Sequence, residues 1–153
     1  MKIERFEDIE GWQEARVLAR MVYGVSDKGQ FARDFPLRRQ IEDAAASVMA
    51  NIAEGFDAGS DAEFVRFLGY ARRSASEVQS HLYIALDRGY VTEEEFEPIY
   101  QKATRAKKLI NGFVRYLRKS QTQTTRPETT RPTTTRPPDQ FFDNFQEVRY
   151  NPG

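Results

Sequence analysis

The sequence predicts an all-α chain: an antiparallel up-down-up-down four-helix bundle over residues 1–119, followed by a low-complexity C-terminal tail over residues 120–153. Three observations carry this. Apolar residues recur at three- and four-residue steps in four separate stretches, helix start and stop residues fall between those stretches, and the periodicity ends abruptly at about Ser120. A chain of 153 residues is one domain's worth and can bury a sizeable core without disulfide staples.

From Glu10 onward, Trp12, Ala15, Leu18, Ala19, Val22 and Val25 mark one buried face, and the first helix is expected to end before Gly29. Pro36 suits the first turn of the second helix, where its missing N–H would be unpaired anyway. That helix is expected to run to about Glu54 on Leu37, Ile41, Ala44, Ala45, Val48, Ile52 and Ala53, with Gly55 as its C-cap. Its alanine-rich centre favours close helix approach. Ser60, with Glu63 three residues on, opens the third helix, whose inner stripe is Phe64, Phe67, Leu68, Ala71, Ala75, Val78, Leu82, Ala85 and Leu86, and Gly89 stops it. A second capping box, Thr92 with Glu95, opens the fourth, which continues on Ile99, Ala103, Ala106, Ile110, Phe113 and Leu117 to about Lys119. Pro98 sits early enough to be tolerated. Short connections make successive helices antiparallel.

The tail repeats a unit beginning Thr125-Arg-Pro, Thr130-Arg-Pro and Thr135-Arg-Pro, whose prolines exclude regular helix. It ends in an aromatic cluster, Phe141, Phe142, Phe145, Val148 and Tyr150, too short to fold alone and suited to docking in an apolar groove of its own assembly or of a partner.

Composition excludes more than it assigns. Hydrophobic residues at 39% and charged residues at 30% place the chain among folded globular proteins, and no apolar run is long enough to span a bilayer. The N-terminus lacks the apolar stretch of a signal peptide, so a cytoplasmic location and no membrane partner are expected. With no cysteine there is neither a thiolate metal site nor a cysteine nucleophile. One histidine, His81, falls short of the Glu-x-x-His pairs of a di-iron bundle, and no phosphate-binding glycine loop or hydrolase motif is present. No catalytic residue, metal or cofactor is therefore expected.

Two sets of residues remain as candidates. Asn51 with Glu54, and Ser74 with Glu77, interrupt small or apolar faces and lie three apart, the pattern of a satisfied polar network that fixes helix register, or of a ligand site. Lys102, Arg105, Lys108, Arg115 and Lys119 form a stripe on the fourth helix, with Lys107 and Arg118 beside it and Arg72 and Arg73 on the third helix as additions. Such a stripe can track phosphates without reading sequence; the alternative is an ordinary solvated face. Net charge is zero, so affinity for nucleic acid has to come from a local face or from several copies together.

The segments Phe6-Glu-Asp-Ile-Glu-Gly-Trp-Gln-Glu-Ala-Arg16, Gln40-Ile41 through Asn51-Ile-Ala-Glu-Gly55, Glu63-Phe-Val-Arg-Phe-Leu68 with Ser74-Ala-Ser-Glu77, and Gly89-Tyr-Val-Thr-Glu-Glu-Glu-Phe96 resemble a known family. It is the bacterial four-helix-bundle proteins encoded within intervening sequences of large-subunit ribosomal RNA genes. The match covers nearly all of residues 5–119, whereas Gln79 and His81 depart from the family pattern and the tail has no counterpart. The resemblance implies a homo-oligomeric ring, often a pentamer, and extends in fold to the accessory variability proteins of diversity-generating retroelements. It implies a non-enzymatic scaffold that binds RNA or a ribonucleoprotein, most concretely as an accessory subunit for a retroelement reverse transcriptase. The alternative is a protein interaction module that docks its partner on the bundle or the aromatic tail without nucleic acid.

Overall fold

A computed structural model describes residues 2–124; the Thr-Arg-Pro repeats and the aromatic residues Phe141, Phe142, Phe145, Val148 and Tyr150 lie outside the described residues. Among the described residues the fold is made of four helices, α1 (Glu10–Ser26), α2 (Phe35–Phe56), α3 (Asp61–Asp87) and α4 (Glu93–Thr124), with short 3-10 turns at Phe6–Asp8 and Phe31–Arg33. Each helix packs against the next in sequence, and α4 closes the arrangement against α1. Paired contacts run in opposite senses along every neighbouring pair. Ser47 meets Ser74 and Gly55 meets Phe64 across α2 and α3, while Gln79 meets Thr104 and Phe64 meets Phe113 across α3 and α4. This is the antiparallel four-helix bundle expected from the short connections.

Most residues assigned to inner stripes fill the core, while Trp12, Val25, Ala53, Phe67, Leu86 and Phe113 are half-buried at its margin. Leu18, Val22, Ile41, Val48, Ile52, Leu68, Val78 and Leu82 are fully buried, and Ala15, Ala44, Ala45, Ala71, Ala75, Ala103 and Ala106 sit between them. Those alanines let the helices approach closely, so each larger side chain is gripped from several sides.

Helix ends follow local chemistry. Asp34 caps α2 by accepting from the Leu37 N–H at 3.2 Å, and its second oxygen accepts from the Tyr90 hydroxyl at 2.9 Å, tying the start of α2 to the α3–α4 turn. Ser60 caps α3 through the Glu63 N–H, and Thr92 and Glu95 make both bonds of a capping box before α4. Gly89, at φ +71°, ends α3, with its own N–H on the Leu86 carbonyl and the Tyr90 N–H on the Ala85 carbonyl. Before α1, Asp8 accepts from the backbone N–H groups of Glu4 and Arg5, and Phe6 packs edge-on against Trp12.

Two boundaries differ from expectation. Gly55 is no C-cap: α2 continues through it to Phe56, and Asp57 takes the capping position. Gly55 is buried because a Cβ there would lie 2.7 Å from a ring carbon of Phe64 and 2.9 Å from the Phe67 Cβ. α4 likewise continues past Lys119 to Thr124.

At the other end of the α1–α2 pair, the buried Ser26 hydroxyl donates to Glu42 at 2.7 Å and Arg38 donates to the same carboxylate at 2.8 Å. Burial alone would raise the Glu42 carboxyl, but the bonds from Arg38 and Ser26 and the charge of Arg38 outweigh it and hold the group below its ordinary value of 4.5. A depressed carboxylate contributes stability that is complete above its unfolded value and is lost as pH falls through the folded one. Unfolding followed across pH is therefore expected to show an acid limb below about pH 4.5 that flattens in Glu42→Gln, with that variant about 1–3 kcal/mol less stable at neutral pH. An unchanged acid limb would assign the pH dependence elsewhere.

Candidate nucleic-acid interface

α4 is electrically polarised along its length. Glu93, Glu94, Glu95 and Glu97 crowd its first turns, where the helix dipole favours negative charge. From Pro98 to Thr124 the helix carries Lys102, Arg105, Lys107, Lys108, Arg115, Arg118 and Lys119 and no acidic residue. A chain of zero net charge thus presents one strongly cationic helical segment.

The stripe does not form a single face. Lys102 is turned toward α1 and bonds Glu14 at 2.8 Å, and Arg105 approaches the same carboxylate at 3.6 Å. Glu14 is the residue that sequence reading missed: on α1 it looks like any solvent-facing carboxylate, and only the packing of α1 on α4 places it there. Lys107 faces α3, its ammonium 3.4 Å from the Ser76 hydroxyl. Desolvation, and then the nearby Arg72 guanidinium, lower the Lys107 pKa. Arg118 follows Lys107 by three helical turns and shares its side. Lys108, Arg115 and Lys119, spaced by seven and four, point outward together and are exposed.

Arg72 and Arg73, adjacent in sequence, diverge. Arg72 faces the α3–α4 seam beside Lys107. The Arg73 guanidinium lies 6.0 Å from the Tyr70 ring, while Arg66 donates to the Tyr70 hydroxyl at 2.8 Å, so two arginines flank one aromatic ring on α3. Tyr70 packs edge-on against Phe67, next to α2. Lys107 thus pairs with Arg72 at the α3–α4 seam, while Arg66 and Arg73 gather on Tyr70 of α3.

The expected polar network is half present and differently centred. Asn51 donates to the carbonyl and hydroxyl of Ser47, and the Ser74 hydroxyl donates to Ser47 at 2.9 Å. Glu54 and Glu77 are exposed and lie outside it. Serines need no charged partner when buried, whereas a carboxylate there would have to shed its hydration, so the glutamates face water. A second link, Gln79 donating to Thr104 at 2.9 Å and to the Tyr100 carbonyl, joins α3 to α4. His81 has a buried Nδ1 with no partner. Among the described residues no group of three or more His, Cys, Asp or Glu side chains is placed to hold a metal ion, and no helix is long and apolar enough to cross a membrane.

Fold and surface together define a helical-bundle protein with a cationic helix on its outside. The sequence profile of the 23S rRNA-intervening sequence protein family matches residues 7–112, and the chain belongs to that family. A crystal structure from Bacteroides thetaiotaomicron VPI-5482, a protein of unknown function from the S23 ribosomal protein family, is similar, with 28% identity and a TM-score of 0.62. The alignment covers 68% of this chain and 97% of that one. No curated protein matches.

Proposed function

We propose that the protein is a non-enzymatic, homo-oligomeric scaffold that binds RNA or a ribonucleoprotein through the cationic half of α4. The observation that carries this reading is the run of seven cations with no acidic residue between Pro98 and Thr124, on a chain whose net charge is zero. Lys108, Arg115 and Lys119 track one line of phosphates, and Lys107 with Arg72 offers a neighbouring point where a phosphate would relieve the repulsion between two cations. Membership of a family named for ribosomal RNA intervening sequences supports an RNA-related role.

The more specific form, an accessory subunit for a retroelement reverse transcriptase, rests on sequence resemblance alone. Several copies in a ring, such as a pentamer, would multiply a modest per-chain charge into a continuous phosphate-binding surface.

The test is light scattering of the full-length protein with and without a hairpin RNA over a series of salt concentrations. A discrete oligomer that gains mass with RNA at low salt and loses it at high salt is expected. An oligomer indifferent to RNA at every salt would leave a protein-only adaptor.

A further inference from the structure

An open groove of about 380 Å³ runs between the start of α1 and the C-terminal half of α4. Its apolar lining comes from Ile3, Ile9, Leu109, Phe113 and Tyr116, with Lys108 and the acidic pair Asp8 and Glu10 at the rim. Two glycines shape it. Gly11 lies against α4, where a Cβ would make ordinary contact with the Ile110 Cγ1 at 3.6 Å, and Gly112 leaves a step in α4 where a Cβ would meet only the tip of Arg115. Tyr116 lies at its edge, 61% exposed and stacked on the Phe113 ring, so the groove's apolar lining continues onto an open aromatic face.

We propose that the chain's own aromatic segment, residues 141–150, occupies this groove. Three arguments select that occupant. The first is reach: α4 runs without a break from the groove to Thr124, about 12 Å beyond Tyr116 at 1.5 Å per residue. Residues 125–140 can span up to about 50 Å, so the segment returns to the groove at an effective concentration in the millimolar range. The second is shape and polarity: Phe141, Phe142 and Phe145 fall within five residues and match a groove whose floor is aliphatic and aromatic. The third is charge: Asp139, Asp143 and Glu147 are interleaved with those rings and carry no neighbouring cation until Arg149, and on the α4 side the groove is lined by Lys108, with the Arg115 guanidinium beside Gly112.

A docked segment lies beside the cations assigned to RNA, so RNA and tail compete. That consequence rests on the RNA reading; the docking does not.

The chain has no cysteine, so engineered pairs report contact cleanly. In the full-length protein, Lys108→Cys with Asp143→Cys is expected to form an intrachain disulfide under mild oxidation. Its rate should exceed by about tenfold that of a control pair, Glu94→Cys with Asp143→Cys, whose first site lies at the far end of α4. Adding Phe142→Ala and Phe145→Ala should slow the Lys108–Asp143 pair several-fold and leave the control pair unchanged, and an undiminished rate would overturn the docking. Equal rates in the parent pairs, or disulfides found only between chains, would overturn docking within the chain. Saturating hairpin RNA should slow the Lys108–Asp143 pair. An unchanged rate in RNA that demonstrably binds would overturn the competition and leave the docking standing, while absence of RNA binding would count against the functional reading alone.

Discussion

Gly55→Ala is expected to destabilise the bundle by about 1–3 kcal/mol, the usual cost of forcing an extra carbon into a filled interior. At this chain length that corresponds to a fall in Tm of roughly 2–12 °C. The added methyl would lie 2.7 Å from the Phe64 ring and 2.9 Å from the Phe67 Cβ, inside any tolerable contact. Phe64 cannot move freely to make room, because its ring packs edge-on against Phe113 of α4 at 5.2 Å and near Phe56 at 6.3 Å. The strain would therefore pass from the α2–α3 pair into α4. Gly24→Ala is the matched control: Gly24 lies inside α1 with nothing within 4 Å of an added Cβ. Relief of glycine's backbone entropy should make that variant about 0.5–1 kcal/mol more stable. Thermal unfolding followed by circular dichroism checks both. A Gly55→Ala protein as stable as its parent would mean that α2 and α3 separate easily at this end, against the close approach described.

Gly55 also shows where sequence reading stops. A glycine after an apolar run signals a helix end and a close helix contact equally well, and only the tertiary neighbours Phe64 and Phe67 decide between them. Boundaries written in local chemistry were legible: Ser60, the Thr92–Glu95 pair and Gly89 each act within five residues of themselves. The buried faces were legible for the same reason, since period alone defines them.

Sites built between helices were legible only in part. Asn51 and Ser74 belong to one network, but the spacing that linked them to Glu54 and Glu77 says which residues share a helix face, not how far round that face the neighbouring helix reaches. Ser47, four residues before Asn51, is the bridge, and a serine on an alanine-rich helix gives no signal of it. The cations of α4 present the same problem. Their sequence positions give the charge, while Glu14 of α1, which decides how much of that charge is available, becomes visible only once α1 is packed alongside.

That partition fixes the expected outcome for RNA. Exchanging Lys108, Arg115 and Lys119 for glutamate together is expected to lower affinity for a hairpin RNA by two to three orders of magnitude near 0.1 M salt. The slope of log affinity against log salt should also flatten by about 2 to 3, since each lost phosphate contact removes about 0.7–0.9 of slope. All three side chains are exposed and outward, so helicity should be unchanged. Lys102→Gln should have a much smaller effect, because its ammonium is already engaged by Glu14 at 2.8 Å. Glu14→Gln provides the opposing arm: releasing Lys102 and Arg105 from their shared carboxylate should raise RNA affinity several-fold and steepen the salt dependence. A folded triple variant that binds as its parent does, together with a silent Glu14→Gln, would remove α4 from the RNA interface. The Arg66–Tyr70–Arg73 cluster on α3, where a ring for stacking sits between two guanidinium groups, would then be the surface to alter next.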